Sequence, residues 1–273
     1  MLSSDPAKSE RIRQYWGERA STTDPSSRQA TTYDVFLREH EIATLRGRIA
    51  GLALPPGARV LDVGCGDGYA TVKLAAHFPH LRFIGVDWSE EMLRRAERAL
   101  AAEPAARGAA SFRVGDMRAL DASLGAERFD VCLSMRSLIN LTSAEEQYAT
   151  LAQIAAHLGG GGHYFCIENF MQGQRNFNRL RVAMGLPEIP VRWHNHFFEE
   201  EVFVKEAGRF FDSIEFDSFL SSYYLATRVI YSAGCQLAGE EPDYFHPIHQ
   251  VAARLPVIGD FCPIKLVTLR RRG

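Results

Sequence analysis

The chain has 273 residues, 46% of them hydrophobic, which is enough for one large α/β domain with appended elements or for two small domains, and one core with insertions is expected. Its 31 Lys and Arg against 33 Asp and Glu give a formal net charge of −2, so no broad field draws it to nucleic acid or an anionic membrane. No apolar run reaches the roughly 18 residues of a membrane span, the start Met1-Leu2-Ser3-Ser4-Asp5-Pro6 has no apolar signal stretch, and cysteines 65, 132, 166, 235 and 262 show neither zinc nor disulfide spacing. These features predict a reduced, cytoplasmic protein without nucleic acid, membrane or metal partners, and a monomer or homodimer is expected.

Residues 1–50 read as a helical cap: an aromatic, arginine-rich helix over Glu10–Ala20, a polar break at 21–27, and a second helix near Thr32–Ala50. The core follows over 51–170. Its first strand, Arg59–Val63, runs into the turn Gly64-Cys65-Gly66-Asp67-Gly68 and a helix that carries Val72, Leu74, Ala75 and Ala76 toward the sheet. Leu81–Val86, Ser111–Val114 and Phe129–Ser134 read as the next three strands, and the glycines 159–162 as a turn before a fifth, Tyr164–Ile167. Cys132 and Cys166 sit inside strands as small core residues. Phe210–Phe216 and Ile264–Arg270 read as strands six and seven. The connections Met171–Gly208 and Leu220–Pro263 are too long for bare loops and contain helical patterns, so they are expected to act as lids, one over 171–209 and one inside the sheet-closing segment 210–273.

Glycines lack Cβ and accept positive φ, so Gly64 and Gly66 let backbone N–H groups approach a ligand. Asp87 ends the second strand about 20 residues past the turn, where a carboxylate accepts the hydroxyls of a ribose. The dinucleotide pattern Gly-x-Gly-x-x-Gly is absent, and Asp62 and Asp67 flank the turn, which repels a pyrophosphate and suits a positive sulfonium. Asp62, Gly64, Gly66 and Gly68 match (Asp/Glu)-x-Gly-x-Gly-x-Gly, and here the chain resembles the class I S-adenosylmethionine-dependent methyltransferases of small molecules. The resemblance extends over 60–168 through Asp87-Trp88, Gly115-Asp116-Met117, Phe129–Ser134 and the glycines before Tyr164.

That resemblance implies a doubly wound, seven-stranded, mostly parallel Rossmann-like sheet that binds S-adenosyl-L-methionine. It implies that Asp87 holds the ribose, that Trp88 lies against the adenine, and that Asp116 and Met117 sit near its amino group. For Asp116 an ordinary turn or helix-cap role stands equally open. The cap helices of such enzymes cover the cofactor, which makes Tyr15, Arg19 and Tyr33 candidates for gripping its carboxylate or shielding its sulfonium. For Arg19 a surface-helix role is equally open. With Asp62, Gly64, Cys65, Gly66 and Arg136 these complete the expected cofactor set, Tyr33 being assigned to the substrate side.

The acceptor side is expected from three places. Arg136 and Asn140 interrupt the apolar run after strand four, at the position that faces the methyl-transfer centre in related enzymes. The cluster Arg192-Trp193-His194-Asn195-His196 offers Arg192 for substrate and His194 or His196 as a general base, the two imidazoles pointing to opposite faces of an extended segment. Glu168-Asn169, Tyr223-Tyr224 and the segment Glu241–His249 supply further candidates, with Tyr223 taken as a substrate contact. The reaction expected is methyl transfer to O or N of a small polar molecule such as a sugar or secondary-metabolite intermediate. Two alternatives keep the cofactor: cyclisation of its own aminobutyrate part to azetidine-2-carboxylate with release of methylthioadenosine, and binding without catalysis. A nicotinamide dehydrogenase is disfavoured by the acidic turn.

Overall fold

The computed structural model describes residues 5–24 and 30–273, so residues 1–4 of the N-terminal segment and 25–27 of the expected polar break lie outside it. Two helices open the described chain, α1 (Pro6–Thr22) and α2 (Val35–Gly51). Each starts on an aspartate whose carboxylate accepts a backbone N–H of the first turn, Asp5 from Lys8 and Asp34 from Leu37. The alternation that follows is β1 (Arg59–Val63), α3 (Tyr69–His77), β2 (Arg82–Asp87), α4 (Glu90–Ala102), β3 (Ala110–Val114), α5 (Leu120–Leu124), β4 (Phe129–Met135), α6 (Ala144–His157) and β5 (Leu158–Asn169). The chain then forms α7 (Met171–Ala183), α8 (Glu200–Ala207), β6 (Phe211–Asp217), α9 (Ser221–Tyr224), a π-helical stretch Leu225–Ile230, α10 (Tyr231–Ala238), α11 (Ile248–Ala252) and β7 (Ile264–Arg271).

The seven strands lie in the order β3-β2-β1-β4-β5-β7-β6. Pairings among β1 to β5 are parallel, and β7 runs antiparallel between β5 and β6. Strand side chains alternate between faces. Val60, Phe83, Val131, Leu133, Phe165 and Ile167 join one buried cluster with Leu45 and Ile49 of α2 and Leu74 of α3. Leu61, Val63, Ile84, Cys132, Tyr164 and Cys166 join the other, with Leu151 and Ile154 of α6 and Phe203 of α8. The sheet is therefore doubly wound, as expected for a Rossmann-like methyltransferase fold.

Three expectations are corrected in this frame. The glycines at 159–162 form no turn outside the strand; they lie within β5, whose pairing with β4 shifts register between Phe129 and Val131. Helix α2 is a core element as well as a cap, since its apolar face packs in the same cluster as β1. Of the expected lid at 171–209, α8 packs under the sheet through Phe203 and Ala207, which leaves α7 and the coil 184–199 to cover the strand ends. Among the described residues no helix is long and apolar enough to cross a membrane.

Candidate functional site

A cavity of about 330 Å³ opens above the C-terminal ends of β1, β2, β4 and β5, where the strand order reverses and open α/β sheets bind their ligands. Its first wall is the glycine turn. Gly64 has φ +70°, and a Cβ there would come 2.5 Å from the Cβ of Ser137 and 3.0 Å from the Cε of Met117, so only glycine fits between β1 and the end of β4. The buried Asp87 carboxylate accepts the Gly66 N–H at 2.9 Å and the Ser89 N–H at 2.9 Å. Each oxygen keeps further lone-pair capacity toward the cavity. Burial raises the Asp87 pKa to about 6 despite these donors.

The two acids flanking the turn are occupied by the protein itself. Asp62 accepts the Thr71 hydroxyl at 2.6 Å, and burial raises its pKa to about 7. Asp67 forms a buried ion pair with Arg38 of α2. The expected repulsion of a pyrophosphate is thus partly neutralised at Asp67.

The second wall is the end of β4. Arg136 takes a left-handed conformation, φ +52°, uncommon for a residue with a Cβ. Two contacts hold it: its N–H donates to Ile167 at 2.7 Å, and its guanidinium pairs with the fully buried Glu41 of α2 at 2.9 Å. The turn that follows is built around Glu168, whose carboxylate accepts N–H groups of Ser137, Leu138 and Ile139 and the hydroxyl of Ser134, at 3.0–3.3 Å. Glu168 therefore shapes the site from below rather than facing it. Desolvation still lifts its pKa to about 7.

The third wall joins α1 to the coil 190–197. Tyr15 stacks on His194 with ring centroids 4.7 Å apart, Trp16 meets the same imidazole edge-on, and the Arg11 guanidinium lies 4.1 Å from the Trp193 ring. Trp16 donates its indole N–H to the Asn140 side-chain oxygen at 3.1 Å, while the Asn140 amide donates to the carbonyls of Arg136 and Ser137. Arg19 donates to the Tyr33 hydroxyl at 2.7 Å. Tyr15, Arg19 and Tyr33 all line the cavity.

The fourth wall was the least visible in the sequence. Tyr224, Arg228 and Tyr244 line it with Gln174 and Phe177 of α7 and Asn169 at the end of β5. Arg228 sits on the π-helical stretch, a local irregularity frequent at functional sites. Its guanidinium lies 4.7 Å from the Tyr244 ring and 5.6 Å from that of Tyr224, and it pairs with Asp34. Gln174 donates to the Ile189 carbonyl, and Arg181 to that of Pro187 at 2.8 Å, which pins the coil to α7.

Of the sequence candidates, Tyr15, Arg19, Tyr33, Asp62, Gly64, Cys65, Gly66, Asp87, Trp88, Met117, Arg136, Asn140, Arg192 and His194 converge on this cavity. Three do not. Tyr223 is 1% exposed and donates its hydroxyl to Asp34 at 2.8 Å, in contact with His249; its neighbour Tyr224 takes the wall position. His196 turns away from the wall, its backbone clasped by Ile139 and Gln147. Asp116 caps the short turn Met117–Ala119 and is held by Arg118 at 2.6 Å and Arg13 at 3.3 Å, so the turn role describes it. His194 does lie on the wall, but burial and the charges of Arg192, Arg19 and Lys8 push its pKa down to about 4, which makes it a weak proton acceptor. Asp34, Glu41 and Arg228 carried no sequence signal, because their partners lie 95 to 194 positions away.

Comparison with known proteins bears on the domain type and the fold. A family model described as a methyltransferase domain matches residues 60–162. Trans-aconitate 2-methyltransferase of Azoarcus sp. (strain BH72) is 46% identical over 55 residues, 20% of this chain and 22% of that protein. Magnesium-protoporphyrin O-methyltransferase of Rhodobacter capsulatus is 42% identical over 83 residues, 30% of this chain and 34% of that protein. The matched stretches thus span only about a fifth to a third of these relatives' lengths. Over nearly the whole chain the fold is similar to magnesium protoporphyrin IX methyltransferase from Synechocystis PCC 6803, solved with S-adenosylhomocysteine, at TM-score 0.59 and 16% identity, covering 96% of this chain and 99% of that one. Residues 60–162 thus match a methyltransferase domain, and the chain has the fold of the solved methyltransferase.

Proposed function

We propose that this protein is an S-adenosyl-L-methionine-dependent methyltransferase that moves a methyl group to an oxygen or nitrogen of a small polar molecule, such as a sugar or secondary-metabolite intermediate. One observation carries the reading. The glycine turn with Asp87 and the groups Asn169, Tyr224 and Arg228 line a single cavity on either side of β4.

The residues present fit such a cofactor. Asp87 is a carboxylate oriented by two backbone N–H groups, suited to ribose hydroxyls, and the space beside Gly64 is one that a Cβ would fill. The bound cofactor supplies a methyl group on a positively charged sulfonium. The chain's own part is alignment, which by itself can provide much of the acceleration of a displacement. Asp87 and the turn fix one end of the cavity. Asn140, anchored by three hydrogen bonds to Trp16, Arg136 and Ser137, fixes its middle. Tyr15 and Trp16 cover it with aromatic faces that exclude water and favour a nearby cation.

Calorimetric titration tests the reading directly. S-adenosylhomocysteine should bind saturably and NAD should not; preference for NAD would refute the cofactor assignment. Incubation with S-adenosylmethionine alone should leave it intact, whereas methylthioadenosine formed above the spontaneous rate would move the reaction to cyclisation of the cofactor.

A further inference from the structure

We infer that the methyl acceptor is a hydroxyl group and that His194 is the side chain that takes its proton, a reading that rests on the methyltransferase function proposed above. The coil that carries this imidazole is docked onto the strand ends, a buried nitrogen of its ring has no partner, and the acids of the wall are already engaged.

The place of His194 is set by the backbone around it. Two residues on, the His196 N–H donates to the Ile139 carbonyl at 2.6 Å, just past the end of β4, and the Phe198 N–H donates to the Asn169 carbonyl at 3.0 Å, at the end of β5. On its other side the ring is stacked on Tyr15 and met edge-on by Trp16 and Trp193. His194 is thus held on the cavity wall between α1 and the ends of β4 and β5, and is 4% exposed. Its Nδ1 is buried and has no hydrogen-bond partner. Asn169 lines the same cavity, is 7% exposed, and its side-chain oxygen also lacks a partner. A buried polar atom left unbonded is costly, and a ligand hydroxyl answers both residues: its proton faces the imidazole lone pair, and its oxygen accepts from the Asn169 amide. Which edge of that carboxamide bears the oxygen, and which nitrogen of the ring the proton, are assignments that the hydrogen-bond partner decides.

The acids of the wall have other tasks. Asp34 accepts from the N–H of Leu37, the Tyr223 hydroxyl and the Arg228 guanidinium. Asp62 is tied to Thr71 beneath the glycine turn, and Asp87 to Gly66 and Ser89 at the end of β2, two strands from β4. Burial, and then the charges of Arg192, Arg19 and Lys8, keep the His194 imidazole neutral and make it a weak base. A weak base selects the acceptor. An ammonium, with an ordinary pKa of about 10, must give up its proton before its nitrogen can attack. A neutral hydroxyl attacks with its proton in place and turns strongly acidic as the new bond forms, so a weak base in contact with it suffices. One oxygen lone pair forms the O–C bond as the C–S bond breaks, sulfur keeps the electron pair, and the hydroxyl proton passes to the imidazole. The products are a neutral methyl ether, a neutral thioether and an imidazolium, and the surrounding cations favour passing that proton on to water.

The test uses the full chain, S-adenosylmethionine tritiated in its methyl group, and a small-molecule extract of the cells that make the protein. Mild alkali releases the label of a methyl ester as methanol, hot hydriodic acid then releases that of a methyl ether as methyl iodide, and N-methyl groups stay behind. Transferred label should survive alkali and leave with the acid. His194→Phe keeps a ring against Tyr15 and removes the lone pair, so transfer should fall roughly hundred- to ten-thousand-fold, the range for general base catalysis, with S-adenosylhomocysteine affinity unchanged by calorimetry. Added imidazole should restore part of the transfer in His194→Ala, and His196→Phe should behave as the unaltered protein. Label released by alkali, or retained through both treatments, would overturn the hydroxyl and leave the methyltransferase reading standing. Transfer kept in His194→Phe, or lost there together with S-adenosylhomocysteine affinity, would overturn the base and reduce the imidazole to packing. No transfer at all, from protein that binds S-adenosylhomocysteine, would overturn both readings.

Discussion

The two sides of the cavity are built by different means. The side under β1 and β2 comes from one stretch of chain, residues 62–88, in which strand, glycine turn and carboxylate follow each other and hydrogen-bond locally, as Asp87 does to Gly66 and Ser89. The opposite side is assembled from α1, α2, the end of β4, the coil 190–197 and the π-helical stretch. Buried ion pairs and aromatic contacts between distant segments hold it together, Glu41 with Arg136, Asp34 with Arg228, and Tyr15 with His194. A local scaffold is rigid by covalent connection. An assembled one depends on each long-range contact, so single substitutions should disturb it more widely.

The largest effect should come from the assembled side. Arg136→Ala leaves the Glu41 carboxylate buried without its partner, and removing one member of such a pair costs about 3–5 kcal/mol of stability. Denaturant unfolding would read this, and the double change Arg136→Met with Glu41→Leu should recover most of it. A loss confined to activity, with stability intact, would show that the pair does not hold α2 to β4.

On the local side the damage should be confined to binding. Asp87→Ala is expected to weaken S-adenosylhomocysteine by about 1–3 kcal/mol through lost ribose hydrogen bonds, with little change in unfolding. Unchanged affinity in a calorimetric titration would show that Asp87 has another task.

Acidity should reveal the same residue. In the proposed binding mode the ribose needs the ionised carboxylate, and burial holds the Asp87 pKa at about 6 in the free protein. Binding therefore draws that pKa down, and affinity is at full strength above pH 7. It falls as pH drops through about 6, by up to roughly tenfold per unit, and Asp87→Asn should abolish this component. An affinity flat between pH 5 and 8 would contradict the environment described for Asp87.

The smallest effect is expected at the seam between the two sides. Trp16→Phe removes the indole N–H that bonds Asn140 and keeps most of the aromatic cover, so it should cost about 0.5–1.5 kcal/mol, read as faster hydrogen exchange in α1. Exchange unchanged in α1 would mean that stacking on His194 alone seats the helix.

What could be read in the residues follows this division. The strands at 59–63 and 129–134 were legible because buried parallel strands are short apolar runs bounded by turns, and the antiparallel strand at 264–270 was legible because it too is an apolar run, buried between two neighbours. The glycine turn was legible because its spacing to Asp87 is a property of one continuous segment. Tyr223 and Tyr224 could not be told apart, because adjacent residues of a helix face different surroundings and only the packing of α9 against Asp34 and His249 decides which enters the cavity. Asp116 was ambiguous for a related reason: Arg13, about a hundred positions earlier, and Arg118 beside it both claim its carboxylate.

By itself, then, the sequence determined the order of the strands' motifs, the place of the glycine turn and the chemistry of the cofactor side, since each depends on neighbours along the chain. The tertiary structure alone decided that Arg136 is answered by Glu41, that Arg228 is answered by Asp34, and that Arg192 and His194 reach the cavity wall. Ion pairing is a matter of distance in space, and no local pattern of residues records which charges folding will bring together.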